Sequence, residues 1–145
     1  IINESVKSLD TWAKTKSINI ATKIQEAIPE VNIDPDRIIQ VLNNLIGNAI
    51  KYTPKEGNIT VEAVLQENKE IWVSVTDTGI GIPEEALTKI FDKFYQVGER
   101  VATDVSGSGI GLSVAKEIVE LHGGRIWAES KKGEGAKFTF TIPLS

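Results

Sequence analysis

The sequence predicts an α+β fold: a two-layer α/β sandwich with a mixed, mostly antiparallel sheet of about five strands, one face covered by about three helices. Three observations lead there. The alternating segments 58–66 and 70–77, and again 125–130 and 136–143, are joined by short polar loops, which is the hairpin pattern. The stretches 35–52 and 112–122 instead repeat their apolar residues with helical period. With 145 residues, 41% of them hydrophobic, the chain suits one compact domain, 1–145, with a real core.

Each element has a local reason. Residues 1–15, running on to about Ser17, read as a helical entry or linker, with Ile2, Val6, Leu9 and either Trp12 or Ala13 on one side. "SINIATKI" (17–24) reads as an edge strand. At "DPDR" (34–37) Asp34 can cap and Pro35 suits the first helical position, so a helix should run to about Tyr52, where "TPKEGN" breaks it. After the first hairpin, "PEEALTKIF" (83–91) predicts a short helix with Pro83 at its start. Residues 95–108 show neither period and read as a long flexible loop. The helix over 112–122 stops at Gly123-Gly124, and the second hairpin closes the chain. There is no internal repeat and no low-complexity tract.

Composition narrows the function. Sixteen Lys and Arg against twenty Asp and Glu give a formal charge of −4, which speaks against nucleic acid as a partner. Without cysteine, disulfides and thiolate metal sites are ruled out. The apolar runs are too short for a membrane span, and direct membrane contact is not expected. The chain opens on Ile1 rather than Met, so a piece of a longer, cytoplasmic or membrane-anchored protein is expected.

Three stretches carry chemistry. On the helix that carries "NNLIGNAIKYTP" (43–54), Ile38, Leu42, Leu45, Ile46 and Ala49 form an apolar face. Asn44, Asn48, Lys51 and Tyr52 form a polar stripe beside it. An Asn amide oxygen is a hard, neutral ligand suited to Mg²⁺, and Lys51 could meet a phosphate. A solvated helix face with two incidental asparagines fits the pattern equally well. Next, Asp77 arrives at a strand end where Gly79 and Gly81 turn the chain. It could accept a hydrogen bond from an amino group such as adenine N6, or merely close an Asx turn. Finally, "GSGIGL" (107–112) lacks both the spacing of a dinucleotide fingerprint and the lysine of a Walker loop. It reads as a helix N-terminus with bare amides, a natural anion site, and 95–108 could fold over that anion as a lid.

Together and in this order, these stretches resemble the ATP-binding catalytic domain of bacterial sensor histidine kinases. That domain belongs to the larger ATPase superfamily shared with DNA gyrase, heat-shock chaperones and mismatch-repair proteins. "NNLIGNAIKYTP" resembles the N box, "DTGIGI" the first glycine box and "FDKFYQ" (91–96) the phenylalanine box. "GSGIGL" resembles the second glycine box, "GEGAKFTFTIP" (133–143) the last, and "KEIVELHGGRIWAES" (116–130) is typical of histidine kinases. The resemblance implies the Bergerat ATP-binding fold, ATP and Mg²⁺, with Asn48 as the metal ligand and Asn44 and Lys51 near the phosphates. It implies that Asp77 recognises adenine, that Tyr52 and Gly79 border the base and that Gly107, Gly109 and Gly111 serve the phosphates. Gly81, Ile82, Ser108, Ile110 and Leu112 would also bind the nucleotide, as would Phe94, which with Phe91 anchors the lid. Two positions depart from the pattern. Gln96 stands where many relatives carry a phosphate-reaching Arg, a charge that Arg100 or a partner would then supply. Ala136 stands where relatives often have Thr.

The hydrolysing members of the superfamily carry a Glu, one turn before the metal-binding Asn, that activates water. Here that place is Asn44, and an amide cannot take a proton, so bound ATP can wait for another nucleophile. The single histidine, His122, sits at a helix end, where bonding the last carbonyls is its expected role. The resemblance therefore implies a histidine kinase whose acceptor lies on an upstream histidine-bearing dimerisation domain, with a response regulator downstream. The isolated domain is expected to be monomeric and the parent homodimeric. An ATPase or ATP-driven switch of the same fold is the second reading, and a serine kinase acting on a separate protein the third.

Overall fold

The structure is a computed structural model, and it describes residues 2–26, 28, 31–67, 69–82, 87, 89–91, 111–130 and 133–144. Among these lie α1 (Ile2–Thr15), β1 (Asn19–Ile24), α2 (Pro35–Tyr52), β2 (Asn58–Gln66) and β3 (Glu70–Asp77). After them come α3 (Gly111–Leu121), β4 (Ile126–Ser130) and β5 (Ala136–Pro143). One sheet runs β1-β2-β3-β5-β4. Its β1–β2 pair is parallel and every other pair antiparallel, so the sheet is mixed as the sequence predicts. Both hairpins form. The helix expected over 83–91 falls largely outside the described residues. There, Ile90 is buried and Phe91 meets the Phe138 ring edge-on at 6.1 Å.

Period-2 alternation sends Ile59, Val61 and Ala63 of β2, Ile71, Val73 and Val75 of β3, and Phe138, Phe140 and Ile142 of β5 to one face. Against them α2 lays Ile38, Leu42, Leu45, Ile46, Ala49 and Ile50, and α3 lays Ala115, Ile118 and Val119. α1 packs on α2. Of the two alternatives on its inner side, Ala13 is buried, while Trp12 stays 38% exposed and faces Gly47.

Both ends of α2 are fixed from outside the helix. Asp34 Oδ1 accepts from the Arg37 amide at 3.4 Å, and Pro35 occupies the first helical position, where no amide is needed. At the far end Lys16 Nζ donates to the carbonyls of Ile50 (2.7 Å) and Lys51 (3.4 Å), a positive charge on the negative end of the helix dipole. Replacing Asp34 by alanine should cost about 1 kcal/mol, or about 3 °C in a thermal melt, because one first-turn amide loses its acceptor. An unchanged Tm would show that the cap is idle.

The other face of the sheet has no helix in the described residues, yet its centre is dry. Thr139 and Thr141 of β5 are 2% and 1% exposed. Trp72 and Trp127 meet edge-to-face at 5.0 Å above the strand that separates them. Arg125 lies 5.2 Å over the Trp127 ring and pairs with Glu70 at 2.8 Å, and Glu70 also accepts from the Trp72 indole N–H. Two indoles and a guanidinium thus shield what a second helical layer would otherwise cover.

Candidate functional site

Asp77 closes β3 on the helix-facing side of the sheet and is 7% exposed. Its Oδ1 accepts from the Gly79 amide at 2.8 Å and from the Ala136 amide at 3.2 Å. The Asx turn is therefore present, but one oxygen serves both amides. Oδ2 has no partner among the described residues. Burial is the largest influence on this carboxyl and raises it above the usual 3.8, while the two amides pull it partly back.

The walls around Asp77 are backbone, and glycine is what lets them close in. A Cβ on Gly79 would stand 2.5 Å from the Tyr52 carbonyl oxygen. A Cβ on Gly135, whose φ is +86°, would collide with the carbonyl oxygen of Asp77 itself. The bend after Asp77 is tied down on both sides. Ile80 N donates to Tyr52 O at 3.4 Å and Gly133 N to Ile80 O at 2.6 Å. Ser130 Oγ accepts from the Ile82 amide at 2.7 Å and donates to the Gly135 carbonyl at 2.5 Å. Ser130 and Gly135 were not among the sequence-predicted site residues. A serine in a strand carries no mark of such a role, whereas two glycines just before a strand, as in "GEG", are a local signal that could have marked a close approach.

The contacts with Tyr52 bring the end of α2 to the Asp77 bend. Gly79, Gly81 and Ile82 lie on that bend, and Gly81 takes φ +77°. Asn44, Asn48, Lys51 and Tyr52 are all half-buried, on the flank of α2 beside its core face. The Lys51 ammonium lies 5.1 Å from the centre of the Tyr52 ring. The Asn48 amide has no hydrogen-bond partner among the described residues, so its oxygen fits a hard cation. Gly111 and Leu112 open α3, which packs on α2. Phe94, Gln96, Arg100, Gly107, Ser108, Gly109, Ile110 and the lid segment 95–108 lie outside the described residues. Ala136 offers no hydroxyl, and its backbone N–H is what reaches Asp77.

His122 bonds the last carbonyls of α3, as its position predicts, with Nδ1 at 2.9 Å from Ile118 O. Its Nε2 accepts from the Asp34 amide at 3.1 Å, a contact to the start of α2 that nothing in the sequence signalled.

Residues 33–145 match the model of the histidine kinase-, DNA gyrase B- and HSP90-like ATPase family. The chain is 47% identical over 114 residues to the sensor histidine kinase WalK of Bacillus subtilis (strain 168), covering 78% of the chain and 19% of that kinase. It is 44% identical over 144 residues to the adaptive-response sensory kinase SasA of Parasynechococcus marenigrum (strain WH8102), covering 97% of the chain and 37% of that kinase. The chain thus spans well under half the length of these curated relatives. In three dimensions it is similar to the nucleotide-free catalytic domain of the histidine kinase ThkA, with TM-score 0.84 and 33% identity over 99% of this chain and 91% of that one. ThkA in complex with the response regulator protein TrrA aligns at TM-score 0.81 and 32% identity over 99% of this chain and 39% of that one.

Proposed function

The chain belongs to the family of histidine kinase-, DNA gyrase B- and HSP90-like ATPases, and from that membership we propose that it is the ATP-binding catalytic domain of a two-component sensor histidine kinase. It binds ATP and transfers the γ-phosphoryl group to a histidine on an upstream dimerisation domain. The observation that carries this reading is the spare oxygen of Asp77. It is an acceptor that neither of the amides holding its twin uses, and its backbone walls suit a flat base. Adenine N6 is the donor we assign to it.

The phosphates belong beside Asn44, Asn48 and Lys51. His122, after the last turn of α3, is bonded to Asp34, the cap of α2, and the two helices pack together. Eleven residues back along α3 is Gly111, and eleven residues along α2 from Asp34 is Leu45. At about 1.5 Å per residue these lie level, which supports placing the opening amides of α3 beside Asn44 and Asn48. Asn48 would hold Mg²⁺, which when bound neutralises triphosphate charge and orients it for in-line transfer. Lys51 adds a second positive charge, and Asn44 leaves water without a base, so transfer waits for a histidine.

The parent is expected to be a homodimer in the cytoplasm or at its membrane face, with a response regulator as the next acceptor. The alignment with ThkA in its complex with TrrA supports that partner class.

Mixing the chain with a histidine-bearing dimerisation domain, Mg²⁺ and ATP should yield an acid-labile phosphoprotein. Steady release of free phosphate without phosphoprotein would favour the ATPase reading. In calorimetry with a non-hydrolysable ATP analogue, Asn48→Ala should largely remove the dependence of binding on Mg²⁺. A variant that keeps its full metal dependence would place the metal elsewhere.

A further inference from the structure

The imidazole of His122 is held by backbone on both sides, and the two partners demand opposite things of it. Ile118 O, 2.9 Å from Nδ1, can only accept, so Nδ1 must carry the proton. The Asp34 amide, 3.1 Å from Nε2, can only donate, so Nε2 must be bare. The ring is therefore neutral and fixed as the Nδ1–H tautomer. The bond to Asp34 joins the end of α3 to the cap of α2, 88 residues away in sequence. The two helices also pack through residues such as Ala115, Ile118 and Val119, contacts that fix separation better than they fix rotation.

We propose that His122 is a positioning residue for the nucleotide site, stapling the far ends of α2 and α3 so that their near ends meet the triphosphate in register. This rests on the functional reading above. Without the staple α3 can pivot on its apolar contacts, and the ordering it then loses must be supplied when nucleotide binds.

The charged side chains of the elements that meet here are few. α2 brings Asp36, Arg37 and its cap Asp34, the last two an exposed pair at 3.5 Å, and α3 brings Lys116, Glu117 and Glu120. Arg125, just beyond, is engaged by Glu70.

Two variants separate positioning from folding. His122→Gln puts an amide oxygen within reach of the Asp34 N–H. His122→Asn can serve Ile118 but falls short of Asp34.

With Mg²⁺ and AMPPNP at about pH 7.5, well below each protein's Tm, His122→Gln should bind like the native chain. His122→Asn should bind about three- to tenfold more weakly, the worth of one hydrogen bond. Equal affinities for all three proteins would overturn the proposal, even if His122→Asn melts lower.

A second measurement needs no nucleotide. The ring ¹⁵N shifts of His122 at about pH 7.5 should report a protonated Nδ1 and a bare Nε2. The other tautomer would sink the staple. If the native chain binds no AMPPNP, the functional reading and the coupling fail together, and the ring shifts still decide whether the staple exists.

Discussion

Asp77→Asn is expected to abolish useful nucleotide binding while leaving the fold as stable as before or slightly more stable. Asparagine keeps an oxygen where Oδ1 accepts from Gly79 and Ala136. It puts an NH₂ group in the place of Oδ2, the oxygen we assign to adenine. A donor would then oppose the adenine amino group, and a charge-assisted hydrogen bond would be replaced by a mismatch. The loss should be at least about 100-fold in affinity, or about 2.7 kcal/mol. Stability moves the other way because of the raised carboxyl. Its folded value lies above the unfolded one, so its contribution is fully present below about pH 3.8 and is lost as pH rises through the folded value. At neutral pH the fold carries an ionised group that burial disfavours. The Tm of Asp77→Asn minus that of the native chain should therefore grow through the acid range and level off above it. Calorimetric titration and paired melts at several pH values check both halves. A variant that still binds tightly, or one whose Tm difference shrinks as pH rises, would be evidence against this role for Asp77.

Gly135→Ala should be the most destabilising single methyl in the site, and Gly133→Ala provides its control. Both glycines have nearly the same dihedral, φ +86° and +85°. Each substitution thus carries similar backbone strain, on the order of 1 kcal/mol. A Cβ at Gly133 meets nothing within 4 Å, whereas one at Gly135 runs into the backbone of Asp77 and Thr78. Since β3 and β5 pair at Asp77 and Ala136, relief requires separating two strands at their hydrogen-bonded end. The total for Gly135→Ala should be about 3 kcal/mol or more, lowering Tm by about 10 °C, against about 3 °C for Gly133→Ala. Nucleotide affinity should drop only in the first, because Asp77 is displaced with the strand. Equal melting temperatures for the two variants would show that the close approach at Gly135 is not maintained in solution.

Much of this molecule was legible along the chain because its signals are local. Asp34-Pro35 marks the start of α2 by capping chemistry, and alternation marks β2, β3 and β5 by which residues avoid water. The spacing of Asn44, Asn48, Lys51 and Tyr52 places them on one flank of a helix, whatever that helix packs against. Asp77 before Gly79 and Gly81 was legible as an acceptor at a bend. That Oδ1 serves two amides and leaves Oδ2 spare was not, because one of the amides, Ala136, lies 59 positions away. Ser130 gave no local sign at all, because its partners Ile82 and Gly135 reach it only when the Asp77 bend and the last hairpin come together. The dry outer face was equally hidden: Trp72 and Trp127 alternate outward, as solvent-facing residues do, and meet only because β5 is inserted between their strands.

The residues alone determined which segments become helix or strand, which side of each is apolar, and which polar groups stand at the edge of the core. These follow from periodicity, capping and backbone dihedral preference, all set within a few positions. Strand order, the close approach of Gly135 to Asp77 and the bond from His122 to Asp34 were decided by tertiary structure. Each joins groups far apart in sequence, and their meeting depends on how the apolar faces pack together.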